Sequence, residues 1–497
     1  MSNGNQPSGQ GEFRGDFTRD TFDAAKHFSR VLMQQGRVQL DADWNEQTSI
    51  VLHYLRSLAA DLIGQHGGPG EGFQIESVTA DEGQLAFHLR QGRYYVDGIL
   101  CEAGERLFAN AADLDAGQSH LVFLDVWERH ITGNEDGDIA EVALGEADTA
   151  TRAQVMYRIA LPDLTSEDQN DLGGKVKALK DATTAVDKKN AETDLHKFAL
   201  SRQDSLRPLG TGTLRAQAKV ERAIEACNIS PESQYRGAEN QLYRVEIHRG
   251  GDKWDREMDD EDKNKPAGNA DKAATFKWSR ENGSVAFPIR ELVKDTVMLA
   301  NLGRDGRRSL KRGDWVEIVD DDLASQGQAG ELRQIKDIKT DEMTITLSAP
   351  VTQAYDDTST THPLLRRWDH SSSDGELWEG ALLLKEDDGP EDSKWIALED
   401  GVQIQFAPPS TGSNNYRAGD YWLIPARVAI GDVLWPKRKK SSGDVDTYPN
   451  STNPIPAALP PHGIEHHYAP LGVIEVANDS TVKLILDLRR TFTPLAK

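Results

Sequence analysis

Residues 92–102 read GRYYVDGILCE. Two short apolar runs, one through Tyr94-Tyr95-Val96 and one through Ile99-Leu100-Cys101, flank Asp97-Gly98. An Asp-Gly pair supplies the two positive-φ residues that a tight hairpin turn needs, so this stretch predicts a two-stranded antiparallel unit. The same rhythm of short runs and polar breakers extends outward. Ala86–Leu89 and Leu121–Trp127 complete a β domain over 72–160, and Gly212–Ala218, Gln241–His248, Thr275–Trp278 and Ser284–Ile289 continue it over 210–300. Residues 312–349, with runs at Trp315–Val319, Leu332–Ile338 and Met343–Leu347, predict a small antiparallel barrel. A C-terminal β domain is expected over 366–490, crossed by an extended Pro-rich connection at Pro449–Pro461. The fold class is therefore mainly β, built from several small antiparallel sandwich or barrel domains. No 20–50-residue repeat points to a propeller or solenoid.

Two segments break the β rhythm. In DADWNEQTSIVLHYLRSLAADLIG, residues 41–64, Trp44, Val51, Leu55, Leu58 and Leu62 recur at spacings of three, four and seven, which is one face of a helix; Asp41 or Asp43 is placed to cap it and Gly64 to close it. Residues 165–203 are rich in Lys, Asp, Ala and Glu and predict a solvent-exposed helical insertion whose few apolar positions sustain no heptad seam. Residues 1–15, nearly devoid of apolar side chains, read as a flexible tail ahead of a helical docking segment at 16–66.

The chain has 497 residues, enough for two to four domains, and a net charge of -24 from 81 acidic and 57 basic side chains. That excess repels phosphate backbones and anionic lipid, so nucleic acid is disfavoured as a partner. No apolar run is long enough for a membrane span and no secretory signal pattern opens the chain, which predicts synthesis in the cytoplasm. Cys101 and Cys227 fit no metal spacing and read as reduced packing residues.

Signatures for phosphate loops, dinucleotide folds, zinc peptidases and nucleophile elbows are missing, so neither a catalytic residue nor a cofactor is assigned. His462, His466 and His467 are the weak candidates for a metal site, since a turn can bring imidazoles together; adjacent His466 and His467 point to opposite faces of an extended segment, which argues against it. Asp320, Asp321 and Asp322 lack the calcium-loop spacing. Trp278, Trp368 and Tyr421-Trp422 offer sugar-stacking platforms if exposed and core packing if not.

Several blocks carry a resemblance: GDFTRDTFD at 15–23 running on through KHFSRVLMQQGRVQLDADWNEQ to Gln47, then GRYYVDGILCE at 92–102, FKWSRENGSV at 276–285, YRAGDYWLIPAR at 416–427 and PPHGIEHHYAPLGVI at 460–474. Together these resemble a bacterial family of unknown function whose members accompany contractile phage-tail-like injection systems. The resemblance implies a structural subunit at the baseplate periphery, a fibre or fibre adaptor, or a decoration. Its partners would be other subunits of the particle, within which it would be oligomeric, and it would be found in a particle that is either cytoplasmic or released. The opening segment supplies the candidate interaction residues Phe17, Phe22, Phe28, Leu32, Trp44, Val51 and Leu55, expected to dock on the β body or on a neighbouring subunit. The alternative is a carbohydrate-binding module or weak hydrolase that meets a surface glycan from such a particle; a free metal-dependent enzyme is the third reading.

Overall fold

The structure is a computed structural model. It describes Phe13 to Thr493 apart from residues 77–85, 105–106, 111–113, 115–116, 145–148, 163, 204–205, 207–209, 220–233, 256–267, 304–307, 322, 324–327, 353–361, 390–393, 449–452 and 478–480. Cys227, Asp322 and most of the expected 1–15 tail thus lie outside the described residues.

The chain is mainly β, with an N-terminal helix and a helical insertion. Its organising strand is Ser119–Ile131, which pairs antiparallel with Arg152–Ala160 on one side and with His467–Val476 on the other. Because successive side chains alternate across a strand, its two faces feed two cores. Val122, Leu124 and Val126 pack with Phe73, Phe87, Tyr94 and Cys101 of the neighbouring sheets, while Leu121 and Phe123 join Leu172, Val176, Leu195 and Phe198. Those last four come from α1's later counterparts, the hairpin of Ser166–Asp181 and Ala185–Arg202, here called α2 and α3, where α1 is Asp41–Ile63. The insertion is thus more than a solvated arm: its sparse apolar residues gather on one stripe that covers the sheet, with the Lys and Asp side chains left outside. Thr165 and Thr184 cap the two helices by accepting from the backbone N–H of Asp168 and Asp187.

The expected hairpin at 92–102 is present, pairing Gly92–Val96 with Ile99–Ala103, with Asp97 at φ 47° and Gly98 at φ 80°. A second body is a six-stranded sheet in the order Leu377–Trp378, Ala381–Leu383, Thr275–Ser279, Asn240–Arg249, Tyr421–Arg427 and Asp432–Val433. It packs against a three-stranded sheet that contains Thr213–Ala218 and Val402–Ala407, with Trp278, Phe276, Phe406 and Trp422 in the shared core.

The closed barrel is larger than the 312–349 stretch. Six strands form it, from Ala286–Val293 to Leu364–Trp368, so three strands join from outside that stretch. The rhythm located its middle; closure brings in the flanking strands, because a barrel has no edge to leave unpaired. The strands expected as one C-terminal unit divide likewise: Val402–Ala407 and Tyr421–Arg427 complete the second body, whereas His467–Val476 returns to pair with Ser119–Ile131.

Candidate docking surface

The N-terminal segment is a strap laid across the junction of these bodies. Asn282 Nδ2 donates to the carbonyls of Phe13 and Gly15 at 3.0 Å each, so the last residues of the expected flexible tail are anchored. Arg14 Nη2 lies 3.1 Å from both Glu246 carboxylate oxygens. Phe13 and Phe17 each pack edge-on against His130, with ring centroids 6.0 Å apart. Further along, Arg427 Nη2 donates to the Thr18 carbonyl at 2.6 Å, and Phe22 is buried beside His53. Phe17 and Phe22 are therefore spent on holding the segment to its own chain.

Beneath the strap lies a buried ionic cluster. Lys277 Nζ sits 3.2 Å from Glu246 and 2.7 Å from Glu317, and Arg244 Nε donates to Glu246 at 2.6 Å. Burial alone would raise the Glu246 carboxyl, but Arg14, Lys277 and Arg244 outweigh it and hold it well below the ordinary carboxylate range. Glu246 and Lys277 belong to the six-stranded sheet, Glu317 to the barrel and Arg14 to the strap. The cluster ties all three together.

The strap delivers the chain into α1. Leu40 precedes the helix and its N–H donates to Asp43 Oδ2 at 3.4 Å, while Gly64 closes it at φ 95°. Asp41 does not cap; it accepts from the N–H and hydroxyl of Thr18 at 2.9 and 2.7 Å. Glu46 accepts from the Thr21 hydroxyl, and Arg56 pairs with Glu128 at 2.8 Å. Ala42 and Ile50 are buried on this same side. The fit is close at the hairpin turn, where a Cβ on Gly98 would come within 2.2 Å of the Arg56 carbonyl oxygen.

The opposite face is apolar and bare. Trp44 is 76% exposed, Leu55 57% and Leu62 77%, with Val51 and Leu58 between them in the same stripe. Phe28, Leu32, Met33 and Val38 extend the patch along the arm that precedes the helix, which is held to α1 where the Val31 N–H donates to Gln47 Oε1 at 2.8 Å. An amphipathic helix ordinarily turns its apolar stripe to the core; α1 turns Ala42, Ile50 and charged side chains inward and most of its large apolar ones outward. Phe28, Leu32, Trp44, Val51 and Leu55 are thus all exposed, and exposed apolar side chains concentrated on one helix and its preceding arm mark an interaction site.

The three histidines go to separate partners. His462 exchanges backbone hydrogen bonds with Tyr421 at 2.7 and 2.8 Å, and burial pushes its imidazole down to about 4. His466 Nδ1 lies 2.5 Å from Asp125 and its ring stacks on Trp127 at 5.1 Å, while His467 Nδ1 lies 2.9 Å from Asp97. Among the described residues no three His, Cys, Asp or Glu side chains gather as a metal centre would require. Trp278, Trp368, Tyr421 and Trp422 are all buried, hence core residues rather than stacking platforms. A cleft of about 600 Å³ opens at the junction of the bodies, lined among others by Trp127, Arg129, Arg158, Asp321, His466 and Tyr468. Sequence reading missed it, because its walls come from segments hundreds of residues apart. Among the described residues no helix is long and apolar enough to cross a membrane.

No curated protein matches the chain. Among solved structures, a crystal structure of TssK is similar at 7% identity over 78% of this chain and 99% of that one, with a TM-score of 0.17, a likeness too slight to carry its fold or role across. The model of DUF6519, a family of unknown function, matches residues 13–212 and 209–482, from the strap through the returning strand, and the chain belongs to that family.

Proposed function

We propose that this protein is a structural subunit of a contractile phage-tail-like particle, at the baseplate periphery, in a fibre or fibre adaptor, or as a decoration, and that α1 with its preceding arm is the element that docks it. The observation that carries the reading is the inverted helix. Twelve large apolar side chains between Phe28 and Leu62 stay exposed on a segment that is itself tied down at Asn282, Glu246, Arg427 and Glu128. A fixed apolar surface suits a permanent partner better than a transient one, since little ordering entropy remains to be lost on binding. The resemblance of the opening block to proteins that accompany such particles agrees with it. The β bodies, cemented at Lys277, supply the rigid mount and no catalytic role is assigned to any residue.

Affinity purification of the tagged protein from its native host, followed by mass spectrometry and negative-stain microscopy, tests the reading. Sheath, tube and baseplate proteins are expected in the eluate of the wild type and absent from that of Leu55→Glu/Leu58→Glu. A wild-type protein recovered alone would overturn it. The runner-up, a glycan-binding module on the same particle, would seat its sugar in the junction cleft, and a glycan array is the measurement that would favour it.

A further inference from the structure

We propose that the outward seam of α1 pairs antiparallel with the same seam of a second copy of this chain. The inference deepens the docking reading and rests on it, in that it requires α1's outward face to be a contact surface.

Spacing is the first observation. Trp44, Thr48, Val51, Leu55, Leu58 and Leu62 follow one another at alternating intervals of four and three, the a/d pattern of a coiled-coil seam, carried on a 23-residue helix about 35 Å long. Among the described residues nothing occupies that seam: Trp44, Val51, Leu55, Leu58 and Leu62 are all exposed.

Charge is the second. The positions beside the seam are Asn45, Leu52 and Ala59 on one edge and Gln47, Tyr54 and Asp61 on the other. In a chain of net charge -24 this strip carries a single acidic group, Asp61, because Asp41 and Glu46 are engaged inward. Two copies can approach along it without the like-charge repulsion that the rest of the surface would impose. Seven large apolar side chains stand exposed along α1, Trp44, Val51, Leu52, Tyr54, Leu55, Leu58 and Leu62, and a specific interface, which buries about 800 Å² per partner, would cover them.

Orientation follows from the side chains. Head to tail, Trp44 faces Leu62, Thr48 faces Leu58 and Val51 faces Leu55, so every layer joins a leucine to a residue of different shape about a two-fold axis level with residue 53. Head to head, Trp44 would meet Trp44, Thr48 would meet Thr48, and the acidic first turns with Asp41 and Asp43 would crowd together. The antiparallel arrangement also sets the helix dipoles favourably.

The test is the mass of the purified full-length chain in solution, by light scattering behind a sizing column at micromolar concentration. The wild type is expected at twice its 54.9 kDa, and Leu55→Glu/Leu58→Glu at the monomer mass with an unchanged circular dichroism spectrum, since both side chains are exposed in the single chain. The dimer dissociation constant should rise more than about a hundredfold when unpaired carboxylates enter the seam. For orientation, Val51→Cys mixed with Leu55→Cys, both carrying Cys227→Ser, should form the mixed disulfide; buried Cys101 does not compete. Val51→Cys linking to itself would overturn the antiparallel arrangement. A monomeric wild type would overturn the pairing altogether. If that monomer still enters particles through α1, the docking reading stands without it; if Leu55→Glu/Leu58→Glu enters them equally well, the docking reading fails on its own account.

Discussion

Lys277 is the cation on which the junction turns, and replacing it with Met, similar in length but without charge, isolates its contribution. Glu246 would keep Arg244 and Arg14, whereas Glu317 would be left with the Trp368 indole N–H at 2.7 Å and the Gly330 N–H at 3.0 Å but no cation. His248 lies 3.8 Å away; in the wild type burial first, and the Lys277 charge second, hold its imidazole down to about 3, and in the variant the burial that is the larger cause still opposes its protonation. Removing one partner of a fully buried pair costs about 3–5 kcal/mol, and that range is expected for Lys277→Met at pH 7. Trp368 lies under Lys277, 4.4 Å from ring centroid to Nζ, so tryptophan fluorescence during urea unfolding reports on the site directly. Glu317→Gln in the Lys277→Met background removes the stranded charge and should recover part of the loss. The gap should also narrow as pH falls, because Glu317, no longer held below its ordinary range, takes a proton more readily. A Lys277→Met protein within about 1 kcal/mol of wild type, or a second substitution that recovers nothing, would refute the claim that this cluster cements sheet to barrel.

Other outcomes follow from the same geometry. Gly98→Ala forces a side chain into a positive-φ turn and against the Arg56 carbonyl, so it should loosen α1 more than the ~1 kcal/mol that the backbone conformation alone would cost, seen as faster proteolysis within residues 13–66. Burial depresses His66, His370 and His462 to about 4 and His130 and His248 to about 3. Between those values and about 6.5 the unfolded chain binds more protons, so stability is full above about 6.5 and is lost as pH falls toward 4. Burial raises Glu399 to about 7 and works the other way over part of that range, but one carboxyl does not balance five imidazoles. The melting temperature should therefore fall steadily on acidification, and a flat profile from pH 7 to 4.5 would contradict the burial assigned to these histidines.

What the sequence disclosed was local. Asp97-Gly98 announced its hairpin because a two-residue turn is set by its own chemistry, and the recurrence of Trp44, Val51, Leu55, Leu58 and Leu62 announced α1 because a helix is periodic. Which way that helix faces was not written in the periodicity. It depends on Asp41 meeting Thr18, Arg56 meeting Glu128 and the backbone of Gly98 lying beneath, contacts made by residues outside the helix. The same limit explains the barrel, where the runs within 312–349 were legible but their closing partners at Ala286–Val293 and Leu364–Trp368 were fixed only by pairing across the chain. His462, His466 and His467 looked like a group because they are near in sequence; a turn and an extended strand send them to Tyr421, Asp125 and Asp97. The low apolar content of 165–203 likewise concealed that Leu172, Val176, Leu195 and Phe198 converge on one sheet face.

The central claim is that the outward face of α1 is a contact surface in an assembly. Hydrogen exchange of peptides spanning residues 41–63, measured on the free protein and on native particles that contain it, tests this most directly. The account predicts strong added protection there in the particle, lost with Leu55→Glu/Leu58→Glu; equal exchange in the two states, with the protein demonstrably incorporated, would contradict it.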